Sequence, residues 1–333
     1  MKAIRVHQYA IENPMILENL PEPVPQTGQV RIRLEHAGIN PNETYVMTGT
    51  YAFFTPPLPF TPGFDGAGTI DAVGPGVTAF SPGDRVWLAG FLDPANTGTY
   101  AEQAVASQEY VHPLPDSVSF AQGAALGIPA LAAYRAIYLR GEVRPGQTVL
   151  IHGASGGVGL LAIQMAKALG AKVIGTASSE EGRELIRTQG ADYAMDHLTR
   201  ENLPELAEWT GQRGPDVIIE FLANRNLALD MEIIDPYGKI VVVGSRGPIE
   251  INPRLLMGKD SDIRGLGIPN YTALQQQEAL AAISRLLTEG RLRPVIGRHF
   301  TLEEANEAHQ VILNQKTLGK LVFDLNQSDP QHK

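Results

Sequence analysis

Residues 148–159, Thr148-Val149-Leu150-Ile151-His152-Gly153-Ala154-Ser155-Gly156-Gly157-Val158-Gly159, constrain the fold more than any other stretch. A short apolar run enters a glycine-rich turn, and an apolar pattern at helical spacing begins directly beyond it. That succession presents helix-terminal amides to a pyrophosphate, while the small residues let it approach closely. Aligned on the dinucleotide fingerprint, Ala154 takes the first glycine position, Gly156 the second and Gly159 the third. Ser155, Gly157 and Val158 complete the candidate cradle. Taken alone, the glycines describe no more than a tight strand–helix turn; the strand before, the helix after and the further units beyond give them weight.

Strand patterns at 172–176, 193–195, 216–220, 239–243 and 262–266 follow. They alternate with helical patterns at 158–169, 180–189, 202–209 and 228–234, and a further helix is expected at 273–289. With 148–152, this rhythm predicts an α/β Rossmann domain with a doubly wound parallel sheet. The first third reads differently. Residues 1–6, 29–34, 66–73, 86–88 and 100–105 look like short strands. Pro21, Pro23, Pro25, Pro56, Pro57, Pro59 and Pro62 mark rigid connections around them. Ser119 is an expected N-cap for a helical stretch reaching residue 139. Strand patterns at 294–296 and 321–323 around a helix at 302–313 return to the first style. The simplest topology inserts a dinucleotide domain, 123–267, into a mainly β, barrel-like domain, 1–122 and 268–333. The cleft between them is then the expected active site. The tail from Asn326 is polar and expected to fray.

The formal charge of −9 argues against a dedicated nucleic-acid binder, which needs a basic face. The absence of cysteine excludes disulfides and thiolate-ligated zinc. No run approaches a membrane span, and residues 1–6 lack the apolar core of a signal peptide. A cytoplasmic protein is the expectation.

Several ordered motifs point further. They are Ala37-Gly38-Ile39-Asn40-Pro41-Asn42-Glu43-Thr44-Tyr45, Pro62-Gly63-Phe64-Asp65-Gly66-Ala67-Gly68, Gly83-Asp84-Arg85-Val86, the glycine-rich turn, Gly190-Ala191-Asp192, Val243-Gly244-Ser245-Arg246-Gly247 and Gly319-Lys320. With them, the chain resembles the medium-chain dehydrogenase/reductase superfamily, specifically its zinc-free quinone oxidoreductase (zeta-crystallin-like) branch. The resemblance covers nearly the whole chain and implies a GroES-like catalytic domain. Where zinc-dependent relatives carry a catalytic cysteine this chain has Asn40, and Phe64 stands at the next ligand histidine. The structural zinc lobe has no counterpart after Leu88. The eight histidines show no metal-like spacing, so no metal is expected.

Without a metal to stabilise an alkoxide, the favourable task is hydride donation to an electron-poor acceptor such as a quinone or enone. Asn40, Tyr45 and Tyr51 are the candidate acceptor-facing residues; the alternative is that Asn40-Pro41 forms a turn and the tyrosines pack. Glu43 reads either as a fourth member or as a helix cap. For the cofactor, an NAD site usually places an acid at the end of the second strand. Residues 173–179 contain none. A carboxylate there would oppose a 2′-phosphate by ~4 kcal/mol at 4 Å and an effective dielectric near 20. Thr176 and Ser178 leave room instead, so NADPH is expected. Arg183 is a candidate phosphate partner, although Glu180 and Glu181 offer it another role. The resemblance adds Tyr45, His197, Asn226, Val243, Gly244, Ser245, Arg246, Leu266, Gly267 and Ile268 as cofactor contacts.

The leading expectation is metal-independent NADPH:quinone oxidoreduction. The alternatives are an NADPH-dependent enone or enoyl-thioester reductase and a non-catalytic NADPH- or RNA-binding crystallin-like protein. An apolar edge at 262–266 and the resemblance both favour a homodimer, with a tetramer as the other assembly.

Overall fold

The computed structural model describes residues 1–10 and 14–325. The expected fraying from Asn326 lies outside the described residues. Contacts divide the chain into two units, Met1–Ile128 with the segment from Arg293, and Pro129–Leu292.

The first unit begins with strands β1 (Lys2–Val6) and β2 (Met15–Asn19), which pair antiparallel. Strand β3 (Gln29–Gly38) leads into helix α1 (Pro41–Met47). Strands β4 (Asp65–Val73), β5 (Arg85–Ala89), β6 (Gln103–Ser107) and β7 (Val111–Pro113) follow, then helix α2 (Phe120–Ala124). Ile32 and Leu34 of β3 alternate with more exposed neighbours, so one face feeds the core with Ile4, Val6, Ile70 and Leu88. Ser119 caps α2 with Gln122 as expected, but the anticipated long helix breaks. Asp65 Oδ1 accepts from the amide of Ile128, at 2.9 Å, and a Cβ on Gly127 would lie 1.9 Å from that oxygen. The chain therefore restarts as α3 (Gly127–Tyr134) and runs on through a π-helical turn, Arg135–Arg140.

The second unit carries strands β8 (Thr148–Ile151), β9 (Lys172–Thr176), β10 (Tyr193–Met195), β11 (Val217–Glu220), β12 (Lys239–Val242) and β13 (Asp262–Gly265). They pair in parallel in the order β10-β9-β8-β11-β12-β13. Val149, Leu150 and Ile151, like Val217, Ile218 and Ile219, are wholly buried, as continuous apolar runs covered on both faces require. Between strands lie α4 (Gly157–Ala168), α5 (Glu180–Thr188), α6 (Leu203–Trp209), α7 (Ala223–Ile233) and α8 (Arg254–Met257); α9 (Ala273–Thr288) follows. Helix α7 starts five residues before the expected 228, because Asn224-Arg225-Asn226 carries no apolar stripe.

Residues 268–292 were expected with the β unit but group with the parallel sheet. The Tyr271 hydroxyl donates to the Leu131 carbonyl at 2.8 Å, and Arg291 reaches the Ala168 carbonyl at 2.7 Å. The chain then returns to the first unit through β14 (Ile296–Phe300), α10 (Ala305–Asn314) and β15 (Lys320–Asp324). Strand β15 inserts between β14 and β3, completing the order β14-β15-β3-β4-β5-β7, with β6 also on β3. No helix among the described residues is long and apolar enough to cross a membrane.

Candidate active site

Strand β8 delivers the chain to Gly153, whose φ of +51° lies in the left-handed region. The Gly153 amide donates to Thr176 Oγ1 at 3.1 Å, and that of Ala154 to the Thr176 carbonyl at 2.8 Å. Thr176 is thus wholly buried and its hydroxyl braces the turn instead of remaining open to a phosphate. Gly156 is the N-cap of α4, with no side-chain cap and no acid in the first turn, so the helix presents its amides uncapped. A Cβ on Gly156 would meet only the Gly153 carbonyl, at 3.7 Å. A Cβ on Gly159 would lie 2.7 Å from Ala154 Cα. The second glycine is therefore open toward a ligand and the third is needed for packing, as a dinucleotide cradle requires. Ser155, Gly157 and Val158 occupy the same turn.

At the end of β9, Ser178 is half-buried and Ser179 caps α5 through the Gly182 amide at 3.1 Å. Arg183 reaches back to the Ala177 carbonyl at 3.2 Å while holding Glu180 at 2.8 Å. Its guanidinium is thereby fixed beside the strand end. His197 is exposed just past β10, with Nδ1 3.5 Å from Thr176 Oγ1. Asn226 donates to Glu220 Oε1 at 3.2 Å. The Val243 amide donates to the Glu220 carbonyl at 2.8 Å, and the Ala223 amide to the Gly244 carbonyl at 3.0 Å. Ser245 Oγ donates to the Gly247 carbonyl at 2.8 Å, and Asn224 accepts from the Arg246 amide at 3.0 Å. Leu266 joins the β12 ladder through the Val242 carbonyl at 2.9 Å, and Gly267 precedes a 3₁₀ turn that begins with the buried Ile268.

Beneath the turn lies a group that sequence spacing did not reveal. His152 Nε2 stands 2.8 Å from Asp230 Oδ1 and 3.6 Å from Glu220 Oε2, all three side chains buried. Burial pulls His152 down, but Asp230 and Glu220 outweigh it and leave its pKa raised. Burial pushes the Glu220 carboxyl up to about 7. A similar cluster, His36, His299 and Asp324, sits half-exposed in the first unit.

The first unit holds a larger buried polar network. Asn40 is 1 % exposed, and its Nδ2 donates to Asp65 Oδ2 at 2.9 Å and Glu43 Oε1 at 3.3 Å. Its Oδ1 accepts from Lys320 Nζ. The amide expected to polarise an acceptor is therefore occupied at both ends. Glu43 is the N3 residue of α1 and closes a capping box with Asn40, which is one of the two readings the sequence allowed. Its carboxyl also accepts from the Tyr100 hydroxyl at 2.5 Å. Burial raises that carboxyl to about 7 against the opposing influence of Tyr100 and Lys320.

Glu43 lines a cavity of about 690 Å³, with Phe54, Phe64 and Phe91 among its walls. The Phe64 and Phe91 rings meet edge-on at 5.0 Å. Tyr51 packs on the same cluster, 5.3 Å from the Phe54 ring centre and 6.2 Å from Phe91. Tyr45, 40 % exposed, instead lines a second cavity of about 330 Å³ with His309, so the two tyrosines do not share one pocket wall.

A family model described as the alcohol dehydrogenase GroES-like domain matches residues 26–116, and one described as zinc-binding dehydrogenase matches 157–286. A human protein named quinone oxidoreductase is 42% identical over 327 residues, covering 97% of each chain. The chain belongs to the quinone oxidoreductase branch of the medium-chain dehydrogenase/reductase superfamily. It is an oxidoreductase by that membership. Among solved structures, an NAD-dependent alcohol dehydrogenase superposes with a TM-score of 0.89 at 29% identity, over 98% of this chain and 100% of that one. A mycobacterial protein complexed with NADPH gives 0.86 at 28% identity, over 97% and 99%.

The zinc in one family description does not fit the residues around Asn40. An ammonium group occupies the Asn40 oxygen, and Phe64 offers no donor atom. Dinucleotide does fit this oxidoreductase, because the uncapped α4 terminus and the space at Gly156 match what a pyrophosphate needs.

Proposed function

We propose that the protein reduces quinones with NADPH and without a metal. The observation that carries this reading is the aromatic-walled cavity around Phe54, Phe64 and Phe91, which suits a flat conjugated ring. NADPH supplies the hydride when bound. The residues proposed to hold it are Ala154 to Gly159, with Ser178 and Arg183 near the 2′-phosphate. Thr176 holds the turn's shape. His197, Asn226, Val243 to Arg246 and Leu266 to Ile268 flank the same sheet end, and Tyr45 is kept as a contact by resemblance. The absence of an acid at 173–179 supports NADPH over NADH, although relatives of this fold use either.

Tyr51 is proposed to orient the acceptor from beside the rings, with Asn40 positioning Glu43 and α1. An electron-poor acceptor carries much of the incoming charge itself, so orientation and one proton suffice. The Asp262–Gly265 strand closes the parallel sheet as an edge, but it is not the apolar edge expected, because Arg264 pairs with Asp262 and Glu142 there; its position at the sheet end is what supports a homodimer joined along it. Sedimentation at micromolar concentration should give twice the chain mass; a monomer refutes the edge pairing.

The experiment is NADPH oxidation in chelator with a simple benzoquinone, a cyclic enone and an enoyl thioester compared. Benzoquinone should turn over fastest. Preference for either alkene acceptor overturns the quinone reading in favour of double-bond reduction.

A further inference from the structure

The two cavities of the first unit are joined by three side chains in hydrogen-bonded series. Glu43 lines the aromatic cavity, and its Oε2 accepts from the Tyr100 hydroxyl at 2.5 Å. Tyr100 is wholly buried, and its oxygen lies 3.0 Å from His309 Nε2 on the other side. His309, on α10, lines the second cavity with Thr44, Tyr45, Thr48 and Gln310. The cap that Glu43 forms on α1 accounts for its bonds to Asn40 but not for the phenol and imidazole buried in line behind it.

We propose that Glu43, Tyr100 and His309 form a relay that brings the acceptor the proton hydride transfer consumes. This rests on the quinone reading above. Reduction of a quinone by hydride leaves a hydroquinone monoanion, which needs one proton to become hydroquinone. Glu43 gives up its carboxyl proton to that oxygen. Tyr100 then passes its hydroxyl proton to the Glu43 carboxylate and takes the Nε2 proton of His309. Water in the second cavity protonates His309 at Nδ1, so one O–H or N–H bond breaks for each that forms and no electrons move.

The surroundings suit the exchange. Glu43 is raised to about 7, so both its forms exist at neutral pH. Burial lowers His309 to about 4, leaving a neutral ring that holds one proton and accepts another. Tyr100 is raised well above its ordinary value, mainly by burial, so it carries a proton on instead of stopping as phenolate. The other groups facing Glu43 are Asn40 at the N-cap of α1, Asp65 from β4 and Lys320 from β15. Lys320 Nζ lies 3.8 Å from Asp65 Oδ2, and the two charges largely offset each other.

The test uses steady-state turnover of NADPH and benzoquinone from pH 5.5 to 9, in water and in D₂O, for wild type, Tyr100→Phe and His309→Gln. His309→Gln keeps an amide donor toward Tyr100 but cannot pass a proton, so it serves if Tyr100→Phe fails to fold. Wild-type kcat should fall above pH about 7 and show a solvent isotope effect. His309→Gln should lose about ten-fold or more in kcat at pH 8, keep its KM for quinone, and regain rate with added imidazole. Absence of quinone turnover by the wild type refutes the quinone reading and this relay with it. Wild-type turnover with kcat and isotope effect unchanged in His309→Gln refutes the relay alone. A loss with unaltered pH profile and no rescue makes His309 structural and also refutes it.

Discussion

Gly156 and Gly159 sit three residues apart in one turn, yet substitution to alanine should affect different properties. At Gly159 a Cβ would lie 2.7 Å from both the Cα and the carbonyl oxygen of Ala154, and 2.8 Å from its carbonyl carbon. These are backbone atoms and cannot swing aside, so α4 must move off β8. Overpacking of this kind costs about 1–3 kcal/mol. For a unit of this size that lowers Tm by roughly 2–12 °C, at about 2–4 °C per kcal/mol. At Gly156 the nearest atom to a Cβ stands 3.7 Å away and φ is −82°, which alanine adopts freely. Gly156→Ala should therefore leave Tm within a few degrees of wild type while crowding the pyrophosphate. Loss of one charge-assisted hydrogen bond is worth about 1.5–3 kcal/mol, or roughly ten- to a hundred-fold in NADPH affinity. Thermal melts without cofactor and calorimetric titration with NADPH measure the two effects separately. Unchanged NADPH affinity in Gly156→Ala would refute the placement of the pyrophosphate at α4. An unshifted Tm in Gly159→Ala would refute the packing argument.

Ala177→Asp should weaken NADPH and strengthen NADH by charge repulsion at the β9 end, and Arg183→Ala should weaken NADPH far more than NADH; equal losses in direct binding return Arg183 to pairing with Glu180. Tyr51→Phe should cost about two- to twelve-fold in kcat, the value of one neutral hydrogen bond of ~0.5–1.5 kcal/mol, and a loss near a million-fold in a folded protein that binds NADPH would make its hydroxyl an essential acid. Stability should fall as pH rises. Glu43 and Glu220, raised from 4.5 to about 7, bind protons more tightly folded than unfolded, so they weaken the fold progressively between those values. Glu43 alone accounts for about 3 kcal/mol of that loss. His152, also raised, adds stability below its unfolded value near 6.5 and loses it above its folded one. Denaturant titrations at pH 5.5 and 8 check this, and Glu43→Gln should flatten the difference; a fold that strengthens toward pH 8 contradicts the sign.

The parallel sheet was readable because each strand is a short, nearly unbroken apolar run and each connection carries a helical stripe. The Ser119 cap and the glycine turn were readable because their chemistry is local. The polar interior was not. Lys320 meets Asn40 across 280 residues, Tyr100 meets His309 across 209, and His152 meets Asp230 across 78. In a single chain those residues look like any surface lysine, histidine or aspartate. Thr176 misled for a related reason: a small hydroxyl residue at the end of β9 reads as room for a phosphate until its bond to Gly153 is seen. Glu43 was legible as a cap and illegible as the partner of Tyr100.

The return of the chain to β14, α10 and β15 sets an order on synthesis. All of Pro129–Leu292 leaves the ribosome before Phe300, Phe323 and Lys320, which the first core and its buried acids require. The nucleotide-type sheet can therefore close while β3 still lacks the neighbour that pairs Val322 with Gly38. During that interval Asp65 and Glu43 have no ammonium beside them, and an exposed β3 edge is open to other chains. Clipping the last strand from the finished protein would restore that state, removing one lysine and uncompensating two interior carboxyls at a stroke.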